Sequence, residues 1–333
     1  MAETAGERGS LTVHLPRRAP DDTQTEDSGP RMGTVIDGRA IAERLKGLLR
    51  EEMVRLALKP TLAVLSFGTD ASRLYKQAQE RQARELGIRT VEPPGGSCSP
   101  EISFEEIERI IRTWNDDPSV HGIFVHQPMP SQIDPQRVSG LIDPQKDVEG
   151  IHPQNSARRF FAKARIGSCT ALAVMELIES TGMDLTGKEA VVVGHSEIVG
   201  RPVSMLLLDK LATTTICHIG TTKAGRLEEH VRRAEILVVA VGRPRVVPGS
   251  WIREGALVID VGINVVEGHV VGDVDFEGAR ERSAFISPVP GGVGPVTVMM
   301  VMKNTIEAFK LQKGFLGHAE ESPADGPASA ANG

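Results

Sequence analysis

The sequence predicts an α/β fold of two domains, one of them built on a doubly wound parallel sheet. Two observations predict it. The chain has 333 residues, which is long for a single hydrophobic core, since domains commonly contain ~100–200 residues. Short apolar runs that end in Gly or Pro alternate with longer amphipathic segments. Strands that alternate with helices at this spacing are typical of parallel sheets.

The first half of the chain contains the first α/β unit. Structure is expected to begin at 34–38, and the apolar run Thr61–Phe67 favours a buried parallel strand. A helix is predicted over 71–86, with Asp70 or Ser72 near its cap and Gly87 behind it. Further elements are a short strand near 88–91, a helix over 104–114 and a strand over 122–125.

The second unit begins after Gly150. Its predicted elements are a helix over 170–181, a strand over 189–194, a helix from about Pro202, and strands over 214–217, 236–241 and 256–261. The helix after Pro295 follows the last of these strands, so we expect it to return to the first unit.

The stretch Ile286–Thr297 combines three prolines and three glycines with hardly any charge. Proline fixes φ and glycine allows close backbone approach, so this is neither a helix nor a strand interior. It is also too apolar for a solvated linker, and the apolar run 298–302 follows it. We interpret it as a rigid loop that lines a pocket and leads into a buried helix; an ordinary strand-to-helix connection is the alternative.

Composition excludes several classes of function. A formal net charge of −6 gives no general attraction for nucleic acid or membranes, and no apolar run approaches the ~20 residues of a membrane span. Three widely spaced cysteines favour reduced thiols in a cytoplasmic protein. The histidines form no pair at metal-ligand spacing, so no structural metal is expected.

Both ends of the chain are predicted to be disordered. Residues 1–33 are polar without periodicity, and their acidic residues argue against a transit peptide. Met32 is an alternative to Met1 as the true start. The segment 317–333 is rich in Ala, Gly, Pro and Glu.

The segment Val191–Pro202 reads as a strand, a Gly-Ser turn and the first turn of a helix. Such a turn directs backbone N–H groups and a helix N-terminus at an anion, which suits a pyrophosphate. It lacks the G-x-G-x-x-G pattern, so a plain strand-to-helix turn stays open.

These pieces together resemble the methylenetetrahydrofolate dehydrogenase/cyclohydrolase family of the FolD type, over roughly 34–312. The matching stretches are IDGRAIA (36–42), SRLYKQAQERQARELGI (72–88), VHGIFVHQPMP (120–130), KDVEGIHPQN (146–155), VVVGHSEIVGRP (191–202), VIDVGIN (258–264) and PVPGGVGPVT (288–297). The resemblance implies a catalytic folate-binding domain (34–150 with the closing helix 296–312) and a Rossmann-like NAD(P)-binding domain (151–295). It also implies a homodimer, with folate in the cleft between the domains.

The implied activity is oxidation of 5,10-methylenetetrahydrofolate by hydride transfer to NAD(P)+, often followed by hydrolysis of the methenyl product. The sequence departs from the family at three site positions. Gln79 stands where the family has its catalytic Lys, four residues after Tyr75; His126 replaces a Gln and Glu149 replaces an Asp. Because Gln cannot move a proton, the resemblance implies weak or absent cyclohydrolase activity, whereas hydride transfer needs mainly alignment.

The resemblance also assigns site residues. Tyr75 would position the pterin, Gln79 and His126 would line the reacting carbon, and Glu149 would hold the pterin edge. His126 is either an acid or base near neutral pH or a satisfied histidine at a strand end. The further substrate-binding residues are Ser72, Pro290, Gly291 and Gly292, and the cofactor-binding residues are Gly194, His195, Ser196, Ile198, Val199, Gly200, Ile219, Gly242 and Ile263.

The cofactor is NADP by family, but His195 and Ile219 replace the Arg and Ser that hold its 2′-phosphate, which makes NAD plausible. Alternative phosphate partners are Lys223, Arg226, Arg243 and Arg245. His195 itself is either a phosphate partner or a solvent-facing residue.

For four other residues a purely structural role is an alternative to a functional one. Lys146 and Asp147 match the family but would look the same as a solvated ion pair. Cys169 is favoured as a packed thiol over a nucleophile, and Asp273 as a turn cap.

Three other functions stay open. The first is a different one-carbon reaction on the same scaffold, with His126 as proton carrier. The second is a folate- or nucleotide-binding pseudoenzyme. A dehydrogenase for an unrelated substrate would leave the Pro-Gly loop and the Tyr75 segment unexplained.

Overall fold

The computed structural model describes residues 32–68, 70–161 and 165–315, without the side chains of 70–72 and 74. The segments predicted to be disordered, apart from residues 32 and 33, lie outside these described residues, as does the side chain of Ser72. Within the described ranges no helix is long and apolar enough to cross a membrane.

The first half of the chain builds a small parallel sheet with helices around it. Its elements are β1 (Thr34–Val35), α1 (Gly38–Arg55), β2 (Thr61–Leu65), α2 (Asp70–Leu86), β3 (Arg89–Val91), α3 (Phe104–Asp116), β4 (Gly122–Val125), α4 (Pro135–Ser139) and α5 (Pro153–Phe160). The sheet order is β3-β2-β4, and every residue of the central strand β2 is buried. Burial on both faces is why β2 is a continuous apolar run rather than an alternating one.

The second half builds a larger parallel sheet. Its elements are α6 (Cys169–Ser180), β5 (Glu189–Val193), α7 (Gly200–Asp209), β6 (Thr213–Cys217), α8 (Ile219–Lys223), α9 (Leu227–Arg233), β7 (Ile236–Val239), a 3-10 turn (Gly249–Trp251), β8 (Leu257–Asp260), β9 (Asn264–Val266), β10 (His269–Val271), α10 (Phe276–Arg280), β11 (Phe285–Ile286) and α11 (Val293–Gln312). The predicted mixed α/β class with parallel sheets is confirmed.

The order of the large sheet fixes where a ligand can bind. In the described part of the chain the order is β1-β11-β8-β7-β5-β6, all parallel. The chain runs from β5 outward to β6 and then back to β7 on the other side of β5. A crevice opens at such a reversal, outside the carboxyl ends of the strands, and doubly wound folds bind nucleotides there. The strand β1, from the start of the fold, completes the far edge beside β11.

Helix α11 packs against helices from both halves of the chain. It is buried along most of its length and packs against α1, α2 and α6. The Asn304 side chain donates to the carbonyls of Val148 (2.8 Å) and Gly167 (2.9 Å). The buried helix predicted after the Pro-Gly loop is therefore confirmed.

The predicted elements are present, with shifts at their ends. The strands predicted over 236–241 and 256–261 end at Val239 and Asp260. The first ends early because the backbone N–H groups of Val241 and Gly242 bond to the Asp273 carboxylate instead of a neighbouring strand. These hydrogen bonds to Asp273 therefore help to determine the conformation of the loop that follows β7.

Candidate active site and nucleotide cleft

Helix α2 presents two of the predicted catalytic residues on one face. Tyr75 and Gln79 are four residues apart, which places them one helical turn apart. The ring of Tyr75 stacks near Phe124 at a centroid distance of 6.1 Å and meets His126 edge-on at 5.6 Å. Phe124 and His126, at the end of β4, lie 5.0 Å apart. The structure thus brings Tyr75, Gln79 and His126 together, with Phe124 as a member that the sequence did not indicate.

The pair Gln79–His126 forms the centre of this cluster. Both side chains are buried, at 0% and 1% exposure, and His126 Nε2 lies 3.2 Å from Gln79 Oε1. With Gln79 Oε1 facing the ring, this contact is a hydrogen bond in the tautomer that carries its proton on Nε2. Burial, with a smaller contribution from the Lys76 charge, lowers the pKa of His126 to about 4. The expectation that His126 titrates near neutral pH is therefore wrong: desolvation keeps the ring neutral at pH 7.

Lys76 is the nearest amine to Gln79 along the helix. Its ammonium is paired with Glu92, lies 3.8 Å from Glu80, and donates to Ser97 Oγ at 3.3 Å. These partners hold the charge on the β3 side of α2. Lys76 therefore does not supply the amine that position 79 lacks.

Glu149 lies in the same electrostatic neighbourhood. Burial, and secondarily the Asp147 charge, raises the pKa of Glu149 to about 8, while a backbone hydrogen bond with Val125 acts in the opposite direction. Its Oε2 atom is buried without a partner among the described residues. Burial, then Cys169 and Glu149, raises the pKa of the Tyr75 hydroxyl well above its usual value. With a pKa of about 8, the Glu149 carboxyl is mostly protonated at pH 7.

Cys169 is a packed thiol. It is 5% exposed, its Sγ donates to the Val148 carbonyl (3.1 Å), and Asn304 donates to Sγ at 3.3 Å. Burial, followed by the charges of Glu149 and Asp147, raises the pKa of the thiol well above its usual value. A thiol held in its protonated form is a poor nucleophile, so the packed-thiol interpretation is confirmed.

Lys146 and Asp147 are buried and have separate structural tasks. The Lys146 ammonium donates to the carbonyls of Trp114, Asn115 and Asp117 at 2.7–2.9 Å, at the carboxyl end of α3. Asp147 accepts from the backbone of Gly150 and His152 and from Asn155 Nδ2. The solvated ion pair is therefore wrong, because both residues are under 10% exposed and each bonds elsewhere. Together they fix the segment that carries Glu149.

The Pro-Gly loop packs against the start of α1. A Cβ on Gly38 would lie 1.8 Å from the Gly292 carbonyl oxygen, so only glycine permits this approach. Gly291 has φ +110° and lies beside the Arg39 side chain. These contacts fix the loop; that Pro290, Gly291 and Gly292 also touch substrate stays a prediction, as it does for Ser72.

The turn after β5 has the close packing that a nucleotide site needs. Gly194 has φ +127°, and a Cβ there would lie 2.3 Å from the Ala240 carbonyl oxygen at the end of β7. Ser196 Oγ accepts from the Val199 N–H at 3.1 Å, and no side chain caps α7 at Val199. In the first turn of α7 the Gly200 N–H bonds Ser196 Oγ (3.4 Å), the Arg201 N–H bonds the Ser196 carbonyl (3.0 Å), and Pro202 has no N–H. That this turn binds a pyrophosphate therefore stays a prediction.

The ends of the neighbouring strands hold the other predicted cofactor residues. His195 is exposed, and its ring lies 5.4 Å from that of His218 at the end of β6. Ile219 is 50% and Ile263 67% exposed, and Gly242 has φ +66°. Because parallel strands end at one edge of a sheet, these residues and the β5 turn share that edge.

Asp273 builds the loop at the end of β7. It is fully buried, and its two oxygens accept from the backbone N–H groups of Val241, Gly242 and Arg243 and from Asn264 Nδ2, at 2.7–2.9 Å. Its own N–H donates to Asp260 Oδ1 at 3.0 Å. The turn cap that the sequence suggested is confirmed, and it lies directly beside the Gly194 turn.

We expect Asp273→Asn to lower the free energy of unfolding by about 2 kcal/mol, since an amide has one acceptor oxygen and its NH₂ faces two donors. The affinity for NAD(P)+ should fall with it, because the clamped loop borders the nucleotide turn. Urea unfolding and nucleotide titration measure the two effects. Asp275→Asn, two residues away and with a single longer contact to the Gly249 N–H (3.4 Å), is the matched control. If both variants change stability and NAD(P)+ affinity equally, the hydrogen bonds of Asp273 to the loop after β7 do not have the effect described here.

Comparisons with known proteins agree on one family. The family model of the tetrahydrofolate dehydrogenase/cyclohydrolase catalytic domain matches residues 36–149, and that of its NAD(P)-binding domain matches 168–313. The chain is 45% identical over 285 residues to the bifunctional protein FolD of Halothermothrix orenii, covering 84% of this chain and 99% of that protein. The chain belongs to the tetrahydrofolate dehydrogenase/cyclohydrolase family. It therefore contains an NAD(P)-binding domain and a tetrahydrofolate-type catalytic domain.

Solved structures of the family superpose well on this fold. The FolD dehydrogenase/cyclohydrolase of Campylobacter jejuni matches with a TM-score of 0.79 at 37% identity, covering 84% of this chain and 99% of that one. The FolD enzyme of Trypanosoma brucei, solved with NADP and an inhibitor, matches with a TM-score of 0.80 at 36% identity, covering 85% and 99%. The predicted family, its one-carbon and tetrahydrofolate chemistry and its use of NAD(P) are confirmed.

Proposed function

We propose that this protein oxidises 5,10-methylenetetrahydrofolate to the 5,10-methenyl compound by hydride transfer to NAD(P)+, with weak or absent cyclohydrolase activity. One observation carries the proposal: Gln79 is fully buried, its Oε1 lies 3.2 Å from His126 Nε2, and burial lowers the pKa of His126 to about 4. Hydrolysis of the methenyl group requires proton transfer during water attack. Neither an amide nor an imidazole with a pKa of about 4 moves a proton readily at pH 7.

Hydride transfer makes smaller demands on the same residues. When bound, NAD(P)+ supplies the hydride acceptor at its nicotinamide ring. The chain has to orient the pterin, exclude water and avoid placing a positive charge beside the carbon that becomes cationic. The aromatic face of Tyr75, the neutral Gln79–His126 pair and the apolar walls around them meet these demands. Removing a lysine from this place favours the cationic methenyl product, since like charges repel.

We also propose which part of the chain binds each ligand. Residues 34–150 together with helix 296–312 would hold folate, and residues 151–295 would hold NAD(P). The hydrogen bonds of Asn304, from α11 to the carbonyls of Val148 and Gly167, support a closing helix that braces the folate side. The β1 strand is the exception, because it pairs with β11 in the large sheet.

We also propose a homodimer. The β9–β10 hairpin pairs Val265 with Val270, and these side chains are 72% and 40% exposed. A two-stranded hairpin with exposed apolar residues gains stability by packing against another surface. Sedimentation velocity should give the mass of two chains; the mass of one chain at micromolar concentration would contradict the dimer.

The activity is tested by turnover of 5,10-methylenetetrahydrofolate with NADP+ and NAD+ in parallel, following methenyl and 10-formyl products separately. Accumulation of methenyl compound with at least one cofactor is the expected result. Production of 10-formyl compound without a methenyl intermediate would contradict the weak hydrolytic step. Folate binding without either product would contradict the enzyme and indicate a pseudoenzyme.

A further inference from the structure

A hydrogen bond joins the segment that follows β4 to the segment that follows β5. Gln136 Nε2 donates to Glu197 Oε2 at 2.8 Å. Gln136 belongs to α4, the first helix after the end of β4 and His126, and Glu197 belongs to the turn between Gly194 and α7. The bond therefore connects the chain that leaves the cluster around His126 with the turn predicted to bind the cofactor.

The two halves of the chain are also joined at the point where the chain passes from one to the other. There the Asn304 side chain bonds the carbonyls of Val148 and Gly167. Those bonds hold the connection itself. The Gln136–Glu197 bond adds a contact between the two segments at which the ligands are predicted to meet.

Helix α4 is anchored to the first half of the chain. The Asp134 side chain caps it by accepting from the Gln136 N–H at 2.9 Å, and Ser139 Oγ donates to the Gln136 carbonyl at 2.9 Å. The guanidinium carbon of Arg137 lies 3.9 Å from the centroid of the Phe104 ring at the start of α3. The Gln136 side chain therefore extends from a helix whose position is fixed.

Glu197 is oriented from the second half. Its Oε1 accepts from Arg201 Nη1 at 3.3 Å, and its Oε2 faces Gln136. A hydrogen bond to an ionised acceptor is stronger than one between neutral groups. Both Gln136 and Glu197 are exposed, so water competes for the bond and its contribution is modest. The bond therefore favours one arrangement of the halves without imposing it.

Hydride transfer is sensitive to the arrangement of the halves. The reacting atoms must be about 3–3.5 Å apart and aligned, and a misplacement of about 1 Å can lower the rate about 100-fold. In the proposed function the pterin lies beside Tyr75 and His126 in the first half, and the second half holds the nicotinamide. The position of one half relative to the other then sets the distance between the one-carbon bridge and the nicotinamide ring.

We propose that Gln136 and Glu197 are positioning residues for hydride transfer. Their hydrogen bond favours the arrangement of the halves in which the one-carbon bridge and the nicotinamide meet at reacting distance. The two side chains act through the segments that follow β4 and β5, without contact to either ligand. This role rests on the proposed function, since it presumes that the first half holds folate and the second half holds NAD(P).

Single-turnover kinetics of the full chain test this role. The protein with bound NAD(P)+ is mixed with 5,10-methylenetetrahydrofolate, and NAD(P)H formation is followed by stopped-flow absorbance. Gln136→Ala should lower the rate about threefold, the scale of one exposed hydrogen bond. The dissociation constants of NAD(P)+ and of tetrahydrofolate, each measured alone by calorimetry, should stay unchanged. A residue with only a structural role would not separate the rate from the two affinities in this way.

Further variants make the test specific to the hydrogen bond. Glu197→Ala should lower the rate as Gln136→Ala does, and the double variant should lose no more than either single one, because both remove the same contact. Glu197→Gln keeps an acceptor oxygen for Gln136 Nε2, so it should retain the parent rate. Gln132→Ala is the matched control. This exposed glutamine donates to the Pro100 carbonyl (2.9 Å) within the first half, so its loss should leave the rate unchanged.

The outcomes separate this role from the proposed function. An unchanged rate in Gln136→Ala, additive losses in the double variant, or an equal loss in Glu197→Gln would overturn the positioning role while the dehydrogenase stands. A loss of affinity for one ligand alone, without a change in rate, would place Gln136 in the site of that ligand and also overturn the role. Absence of NAD(P)H formation by the parent chain with either cofactor contradicts the proposed function, and the positioning role with it.

Discussion

Gln79→Lys is expected to raise hydrolysis of the methenyl compound by about 100-fold, the lower range for a positioned acid or base. The substitution places an amine on the face of α2 that already carries Tyr75, four residues earlier. Glu149 is an available partner in that neighbourhood, because its Oε2 is buried and has no hydrogen-bond partner among the described residues. The expected physical change is a proton carrier at position 79, where the amide of Gln79 cannot exchange a proton.

The same substitution is expected to carry a stability cost. Gln79 is fully buried and bonds His126, so a lysine loses that contact and brings a charge into the site. We expect the free energy of unfolding to fall by about 1–3 kcal/mol, and the pKa of Glu149 to fall towards its usual value as the two groups pair. Urea unfolding and stopped-flow absorbance of methenyl decay measure the two effects.

Gln77→Lys is the matched control for Gln79→Lys. It makes the same substitution two residues earlier at an exposed position of α2, with Arg73 and Arg81 four residues to either side. It should leave hydrolysis unchanged and lower the free energy of unfolding by only about 0.5 kcal/mol through repulsion between like charges. If Gln79→Lys folds and dehydrogenates but gains no hydrolysis, then His126 and Glu149 have rebuilt the hydrolytic step, and the proposed defect is wrong.

The sequence predicted the parts of this protein that depend on local pattern. Periodicity and turn residues determine three such parts, so the sequence predicted them. They are the spacing of Tyr75 and Gln79 on one helix face, the strand before Gly194 and the buried helix after the Pro-Gly loop. For the cluster around His126, the sequence predicted the individual residues but not the contacts between them. Its assembly depends on which strand ends meet, which only the sheet order gives.

Electrostatic properties could not be predicted from the sequence. His126 looked titratable near neutral pH, yet its burial beside Tyr75 and Phe124 removes the solvation that an imidazolium needs. Lys146 and Asp147 looked like an ion pair because they are adjacent, yet they bond backbone groups at different sites. The addition of β1 to the large sheet is likewise a long-range pairing without a local signal.

Glu149 is expected to couple folate affinity and protein stability to pH with opposite signs. Burial raises the pKa of its carboxyl to about 8 from 4.5 in an unfolded chain. A raised acid pKa means that the folded state holds the proton more tightly than the unfolded state. The contribution to stability is therefore complete below pH 4.5 and declines as the pH rises, until it levels off above 8.

Between pH 6 and pH 9 the loss amounts to about 2–3 kcal/mol, at 1.36 kcal/mol for each pKa unit. Glu149→Gln cannot ionise, so its stability should lack this component. The measurement is urea unfolding of both proteins at pH 6 and pH 9. If the difference in stability between the two proteins is the same at both pH values, Glu149 is not the buried acid described here.

Folate affinity should change in the other direction. A pterin edge that donates hydrogen bonds needs the ionised carboxylate. The carboxylate is the minor form of Glu149 at pH 7. Because apparent affinity scales with the fraction of the competent form, the affinity should rise about tenfold between pH 7 and pH 9, with a proton released on binding at pH 7. Calorimetry in two buffers of different ionisation enthalpy detects that proton. Binding at pH 7 without proton release would mean that the neutral carboxyl donates to the ligand, and that the pterin presents an acceptor to Glu149.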